Sequence, residues 1–416
     1  MLAVVVMLAG VEVARGQQAG PLVGWGEGWK DNVPAGYFRA VSTGWKHSIA
    51  IRADGTLHAW GLAPRYGLDV VPWHLMGVQV IAVAAGYEHN LVLLPDGTID
   101  GWGEPALPDP TTPCNMSPGG PPPYSPVNAR YVAIAAGEHI SVAIREDGSL
   151  AAWGECYSPG CGDSSCNPCR TGTPPGPWSF LSAIPSGNDF VAISATGHYA
   201  IAQRANGTLV AWGVDGHCQV TDLFTGVVAA FSAGHQHGLT LTASTFAYTG
   251  WGSNGYGQRD STPWVPTPTF PCPGSCLAFG CSPCYKPPPV PLPTLFRVGG
   301  GYNHTVGQLP NLSLIGWGRN SFGQSDVPAG NFYAFSSNYD HGFAILDVDS
   351  DDSYLNFDGG TSSSIATRFT VSDVATFHQE WVAGHHRTDV DGDGVINGAD
   401  YLRFVDLYSR TVGGAP

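Results

Sequence analysis

Along most of the chain, apolar residues alternate with polar or small ones in short runs, each separated from the next by a turn. S-I-A-I-R-A-D-G-T-L-H-A-W-G, N-L-V-L-L-P-D-G-T-I-D-G-W-G and A-I-A-Q-R-A-N-G-T-L-V-A-W-G share one layout: an alternating run, Asp-Gly or Asn-Gly, a second run, then Trp-Gly. Period-two alternation on both sides of such a dipeptide predicts antiparallel β-hairpins. Asp54-Gly55, Asp96-Gly97, Asp147-Gly148 and Asn206-Gly207 supply the positive φ of type I′ turns. Upstream of each hairpin runs a strand of small residues, such as 81–86 or 132–137, whose Ala and Gly suit a crowded inner position.

Trp-Gly recurs seven times, at Trp25, Trp60, Trp102, Trp153, Trp212, Trp251 and Trp317. A histidine shortly after a glycine also recurs seven times, at His47, His89, His139, His198, His237, His304 and His341. From each of the first six histidines to the next of these tryptophans is 13 or 14 residues, so the units keep nearly one register. A repeat of a few tens of residues signals stacked supersecondary units. The chain opens on a Trp-Gly half with no histidine strand before it, and the repeat ends on a histidine half with no Trp-Gly after it. Complementary halves predict a ring, an all-β, seven-bladed β-propeller whose closing blade is shared between the two ends, so that no sheet edge stays open. Because each histidine holds the same place in its unit, the expected role of all seven is structural, a hydrogen bond within the histidine's own blade.

These residues resemble the regulator of chromosome condensation repeat: a small-residue strand, Gly-x-x-His, an Asp-Gly hairpin, Trp-Gly, then Asn-x-x-Gly-Gln. The last element is matched by the segments ending at Gln258 and Gln324, and the resemblance covers about residues 21–346. It implies the seven-bladed propeller. Departures are a shortened Gly-x-His at 137–139, Gly-His at 197–198, and the missing Asp-Gly of the fifth and sixth hairpins. Residues 323–329 are similar in style to the secreted bacterial β-lactamase inhibitor of this repeat class.

Composition narrows the function. The 416 residues carry 33 acidic and 18 basic side chains, a net charge of −15, and no basic run, which argues against a nucleic-acid surface. An apolar stretch at 2–11 followed by Ala14-Arg15-Gly16 reads as a signal peptide, 1–16, and hence as export to the cell surface or medium. No later stretch reaches the length of a membrane span. Eight of the ten cysteines fall in two groups, Cys156, Cys161, Cys166, Cys169 and Cys272, Cys276, Cys281, Cys284, each ending in Cys-x-x-Cys. Four thiolates at such spacing suit zinc; in an oxidising compartment disulfides are the favoured reading. The Pro- and Cys-rich insertions at 104–130, 155–187 and 260–295 each follow a Trp-Gly strand and are expected to protrude from the rim.

After a propeller at 17–346 and an acidic linker at 347–361, residues 362–416 change character. Asp389, Asp391 and Asp393 fall at loop positions 1, 3 and 5, Val395 offers a carbonyl at 7, Asn397 stands at 9 and Asp400 at 12, the oxygen-ligand spacing of a Ca²⁺ loop. Asp at the closing position resembles the dockerin domain, whose usual form has two loop–helix units. A counterpart 27 residues upstream has Ser362, Ser364 and Ala366 in place of the aspartates, so that half is read as metal-free. The resemblance implies a small α-helical calcium module that plugs into a cohesin-type receptor.

No nucleophile with a base, tuned carboxylate pair or open metal site is visible in the sequence, so the chain reads as non-catalytic. Glu27, Glu104 and Glu155, which follow Trp-Gly, read as solvated loop residues. Two or three residues before the repeat histidine stand Trp45, Tyr87, Tyr302 and Tyr339, placed to form an aromatic ring on one face around the channel. The expectation is a secreted, monomeric propeller that binds a protein or an extracellular glycan and is tethered by its calcium module. The alternative is an extracellular propeller enzyme, a polysaccharide lyase or hydrolase. A carboxylate or histidine group converging in the channel favours the enzyme; an aromatic rim over an inert channel favours binding.

Overall fold

The computed structural model describes residues 7–8, 11–12, 19–27, 33–62, 65–103, 129–154, 184–215, 217–260, 285–286 and 292–347. The calcium loop Asp389, Asp391, Asp393, Val395, Asn397 and Asp400, its degenerate counterpart, both four-cysteine groups, and nearly all of the three insertions lie outside them.

The alternating runs form six three-stranded antiparallel sheets and one four-stranded sheet, which are the seven blades. Blade 1 joins Phe332–Asn338 and His341–Leu346 to Leu22–Gly26 from the other end of the chain. Blade 2 is Phe38–Thr43, His47–Arg52 and Leu57–Gly61; blade 3 is Ala82–Ala85, His89–Leu93 and Ile99–Gly103. Blade 4 is Tyr131–Ala136, Ile140–Arg145 and Leu150–Gly154; blade 5 is Phe190–Thr196, Tyr199–Arg204 and Leu209–Gly213. Blade 6 is Val228–Gly234, His237–Thr242 and Tyr248–Gly252; blade 7 is Arg297–Gly300, His304–Gln308 and Leu314–Arg319, with Tyr285–Lys286 added at its outer edge. Each first strand lies against the first strand of the next blade, and that of blade 1 lies against that of blade 2, so the ring closes.

Closure is held by pairing and by one large side chain. His341 pairs with Gly26 and Gly342 with Trp25. The Trp25 ring covers Gly342 so closely that a Cβ there would sit 2.2 Å from Cζ2. Trp25 Nε1 donates to the Gln324 carbonyl at 2.9 Å, which ties the N-terminal strand to the loop after blade 7.

Small residues in the inner strands let neighbouring blades approach, and four serines and backbone amides then link them. Ser336 Oγ accepts from Thr43 N, Ser42 Oγ from Ala85 N, Ser194 Oγ from Ala233 N and Ser232 Oγ from Gly300 N, all within 2.9–3.1 Å. In each case an inner strand offers its Ser to the amide of the next inner strand.

The Asp-Gly hairpins form as expected but not as type I′ turns. Only the glycines have positive φ, Gly55 at 91°, Gly97 at 81°, Gly148 at 81° and Gly207 at 83°. Gly55 N donates to the Arg52 carbonyl and Arg52 N to the Thr56 carbonyl, the pattern of a three-residue loop with the glycine in the left-handed position. Asp54 is there for another reason: its Oδ1 accepts from both the amide and the hydroxyl of Thr56. Asn311 makes the same bonds to Ser313 in blade 7, where Leu312 takes the glycine's place at φ 69°. A Cβ in that region costs about 1 kcal/mol, so Leu312→Gly is expected to raise stability by about 0.5–1 kcal/mol in a urea denaturation.

Within the apolar N-terminal stretch, Met7–Leu8 pairs with Val11–Glu12, and this ribbon lies against the inner strands of blades 2, 3 and 5. No helix of the described residues is long and apolar enough to cross a membrane.

Candidate functional site at the channel mouth

In every blade a two-residue turn joins the inner strand to the second strand. The pairing Thr43↔Ser48 and the bond from Gly44 N to the His47 carbonyl place Trp45 and Lys46 in the turn of blade 2. The same reckoning puts Tyr339, Trp45, Tyr87, Glu138, Gly197, His235 and Tyr302 at the first turn position of blades 1 to 7 in order. Adjacent turns are laced by backbone bonds: Tyr87 N to the Gly137 carbonyl, Glu138 N to that of Gly197, His235 N to that of Gly301. Six side chains, with Gly197 holding the blade 5 place, are thereby set around one mouth of the channel.

The four aromatic residues expected to share a face do so, in contact. Trp45 stacks on Tyr87 with centroids 4.2 Å apart and planes 8° from parallel. Tyr339 is turned into the left-handed region, at φ 44°, and reaches across the mouth to Tyr87 at 5.5 Å and Tyr302 at 5.8 Å. Burial raises its hydroxyl pKa well above the ordinary tyrosine value, with nearby Glu138 adding to the shift. Lys46 Nζ lies 4.4 Å from the Trp45 ring centre.

Two of the seven repeat histidines do not take the expected place. His47, His89, His237, His304 and His341 open the second strands of their blades and are fully buried. At the equivalent position blades 4 and 5 carry Ile140 and Tyr199, and His139 and His198 fall one residue earlier, on the mouth turns. The buried five also bond outward rather than within their own blade. His47 Nε2 donates to Asn90 Oδ1 at 2.9 Å, and His89 Nε2 pairs with Ser141 Oγ at 3.0 Å. His237 pairs with Thr305 and His341 with Ser48, both at 3.4 Å, and His304 with Ser337 at 2.6 Å. Each partner belongs to the next blade. Tyr199 does the same work with its hydroxyl, which donates to the Gly234 and His237 carbonyls of blade 6.

The displaced histidine His198 meets His235 at a carboxylate. His198 Nε2 and His235 Nε2 lie 3.1 and 3.2 Å from Glu138 Oε2. Burial works against the Glu138 charge, but hydrogen bonds from both imidazoles and their charge outweigh it and hold the carboxyl well below the usual carboxylate range. The Glu138 side chain keeps 18% of its surface exposed, His198 30% and His235 11%, so the group is reachable from the mouth. Tyr302 stacks on His235 at 4.2 Å, which ties this carboxylate group to the aromatic residues. Among the described residues, no group of three or more His, Cys, Asp or Glu is disposed to hold a metal ion.

Residues 38–67 and 80–105, blades 2 and 3, match the family model of the Regulator of chromosome condensation (RCC1) repeat. Solved structures share the ring. Human WBSCR16 aligns with a TM-score of 0.54 at 14% identity, over 79% of this chain and 99% of its own. Prp20p from Saccharomyces cerevisiae aligns with a TM-score of 0.53 at 14% identity, over 88% of this chain and 95% of its own. The chain shares the propeller fold of RCC1 and is RCC1-like in that sense. The ectodomain of the Arabidopsis thaliana receptor kinase ACR4 aligns with a TM-score of 0.50 at 14% identity, over 76% of this chain and 95% of its own. No curated protein gives a significant sequence match.

The RCC1-like repeat also accounts for the glutamine loops after the outer strands of blades 5, 6 and 7, two ending in Gly-Gln and the first in Cys218-Gln219. Gln219, Gln258 and Gln324 are buried, and each Oε1 accepts from the amide two residues earlier, at 2.8, 2.9 and 2.8 Å. These loops stand beside the mouth turns, since Ser253 N donates to the Gln236 carbonyl and Arg319 N to that of Asn303. They add Tyr256 and Phe322, 36% and 46% exposed, with Arg319 lying over both rings at 5.9 and 5.5 Å. The aromatic spacing did not reveal Glu138, His198 and His235; the signal was present in the irregular turns at 137–139 and 197–198 of the RCC1-like pattern.

Proposed function

We propose that this RCC1-like propeller is a non-catalytic recognition protein that holds a protein partner against the mouth turns. The observation that carries this reading is the convergence of Trp45, Tyr87, Tyr302 and Tyr339 into one contacting layer. Large, rigid aromatic side chains at the centre of a patch are the residues that dominate protein interfaces. Among the structural neighbours, yeast RCC1 (Prp20) is known bound to Kap60, and Prp20p has binding properties toward Gsp1p and histones, so proteins of this fold take protein partners. A nucleic-acid-binding role does not suit a chain of net charge −15 without a basic run.

The apolar N-terminal segment and the aspartate loop at 389–400 extend the proposal: the chain is exported, and a calcium-filled dockerin-like module tethers it to a cohesin-type receptor. The test is affinity capture of extracellular proteins, together with a glycan array, with wild type and a Trp45→Ala, Tyr302→Ala double variant. Loss of two central anchors is expected to weaken binding of the captured protein by about thirtyfold or more. Unchanged binding removes the mouth as the contact surface, and glycan binding in place of protein binding changes the partner class.

The Glu138 group favours a second reading, a polysaccharide-acting enzyme with a channel carboxylate. A general acid or base works best with a pKa near the operating pH. Glu138 is displaced the other way, held ionised by His198 and His235, which suits an electrostatic anchor better than a proton shuttle. Release of reducing or unsaturated sugar by wild type, lost in Glu138→Gln, would establish the enzyme instead.

A further inference from the structure

We propose that the channel mouth contains a subsite for one arginine side chain of the protein partner, with Glu138 as its acceptor and the tyrosine faces as its walls. This rests on the recognition reading above and names the chemistry of its central contact. Both imidazoles use Oε2 of Glu138. A carboxylate offers about four acceptor sites, and the two imidazole contacts both fall on one oxygen. The carboxylate is ionised and keeps 18% of its side-chain surface exposed toward the mouth. His235, one of the two imidazoles on Glu138, stacks on Tyr302 at 4.2 Å and lies 6.2 Å from Tyr339, which sets both rings beside the carboxylate group.

A half-buried negative charge beside aromatic faces attracts a cation from two directions, by charge-assisted hydrogen bonding and by the ring quadrupoles. The same end of the protein already uses its own cations in this way. Lys46 sits over Trp45, and Arg319 lies over Tyr256 and Phe322 while contacting Asp340 at 3.4 Å. The second of these, a guanidinium placed between aromatic rings and a carboxylate, repeats the arrangement inferred for the mouth. A flat guanidinium suits it better than an ammonium, because it stacks on a ring while an edge N–H still reaches the carboxylate. The chain's net charge of −15 draws such a partner at long range.

The test uses small probes, so it does not depend on finding the partner. Methylguanidinium is titrated into the full chain by ligand-observed NMR at pH 8, above the ordinary imidazole range, with urea as the neutral guanidinium-shaped control. Saturable binding of methylguanidinium and none of urea is expected. Glu138→Gln is expected to weaken it about tenfold, the loss of one charge-assisted hydrogen bond, while Glu146→Gln, on an exposed hairpin, leaves it unchanged. Should Glu138→Gln not fold, Tyr302→Leu keeps the carboxylate and removes one wall, with an expected loss of about threefold. No saturable binding, equal binding of urea, or full affinity in the folded variants would overturn the subsite. Partner capture lost in the Trp45→Ala, Tyr302→Ala variant alongside a null probe titration would reject the subsite and leave the recognition face standing.

Discussion

Acidification from pH 7 to pH 5 is expected to unfold the propeller or bring it close to unfolding. The cause is the set of buried histidines that latch one blade to the next. Burial lowers His47 to about 4 and His89, His237 and His304 to about 3, and His341 lies well below the ordinary value. In the unfolded chain each returns to about 6.5. Between those values the unfolded chain binds protons that the native ring refuses, so stability is full above about pH 6.5 and falls as pH drops toward 4. Each histidine contributes a slope of about 1.4 kcal/mol per pH unit, and five together approach roughly 7 kcal/mol per unit, against a typical total of about 5–15 kcal/mol. Glu138 acts in a separate and lower window: its depressed folded pKa gives stability that is present above about 4.3 and is lost below it. Urea midpoints measured every half unit from pH 7.5 to 4.5 check this, and His341→Gln should reduce the slope by about one proton. A midpoint that is flat from pH 7 to pH 5 would show that the latches do not hold neutral imidazoles.

Removal of the closing strand is the second large effect. A chain beginning at residue 33 lacks Leu22–Gly26, exposes the edge of His341–Leu346 and leaves the Gly342 face without Trp25. Trp25 is 4% exposed and packs with Val306, Leu314, Phe332 and Ala344, residues of blades 1 and 7. The truncated chain is expected to be aggregated or to denature without a cooperative transition, since an open edge is a pairing site for a second chain. Trp25→Ala alone should cost about 3–5 kcal/mol, the range for emptying a buried tryptophan site. A peptide of residues 19–27 added in trans is expected to restore a cooperative urea transition to the truncated chain. Full cooperativity without the strand would mean that blade 1 needs no partner from the N-terminus.

The ring was legible in the sequence because its signals are local and repeat. Trp-Gly pairs, turn glycines such as Gly55 and small-residue strands each fix a piece of backbone within a few residues, and the half units at Trp25 and His341 reveal how the pieces join. The aromatic layer followed from its constant offset to the repeat histidine. What stayed hidden depends on neighbours distant in sequence. The partners of His47 and His89, Asn90 and Ser141, are 43 and 52 residues away, so no spacing rule within one unit points to them. The displaced His198 looked like a repeat histidine because Gly197-His198 mimics the motif, yet Thr196 pairs with Tyr199 and pushes the imidazole onto the turn. Glu138 takes a turn position that is aromatic in four other blades, and no other blade carries a carboxylate there. Its role depends on His198 and His235 arriving from the two following blades.

Hydroxyl-radical footprinting of the chain, alone and with its captured protein partner, tests the recognition face most directly. Trp45, Tyr87 and Tyr302 should be protected in the complex, while Trp73, 84% exposed on the segment between blades 2 and 3, should oxidise as it does in the free chain. Protection of Trp73 with the mouth aromatics unaltered would place the partner elsewhere on the propeller.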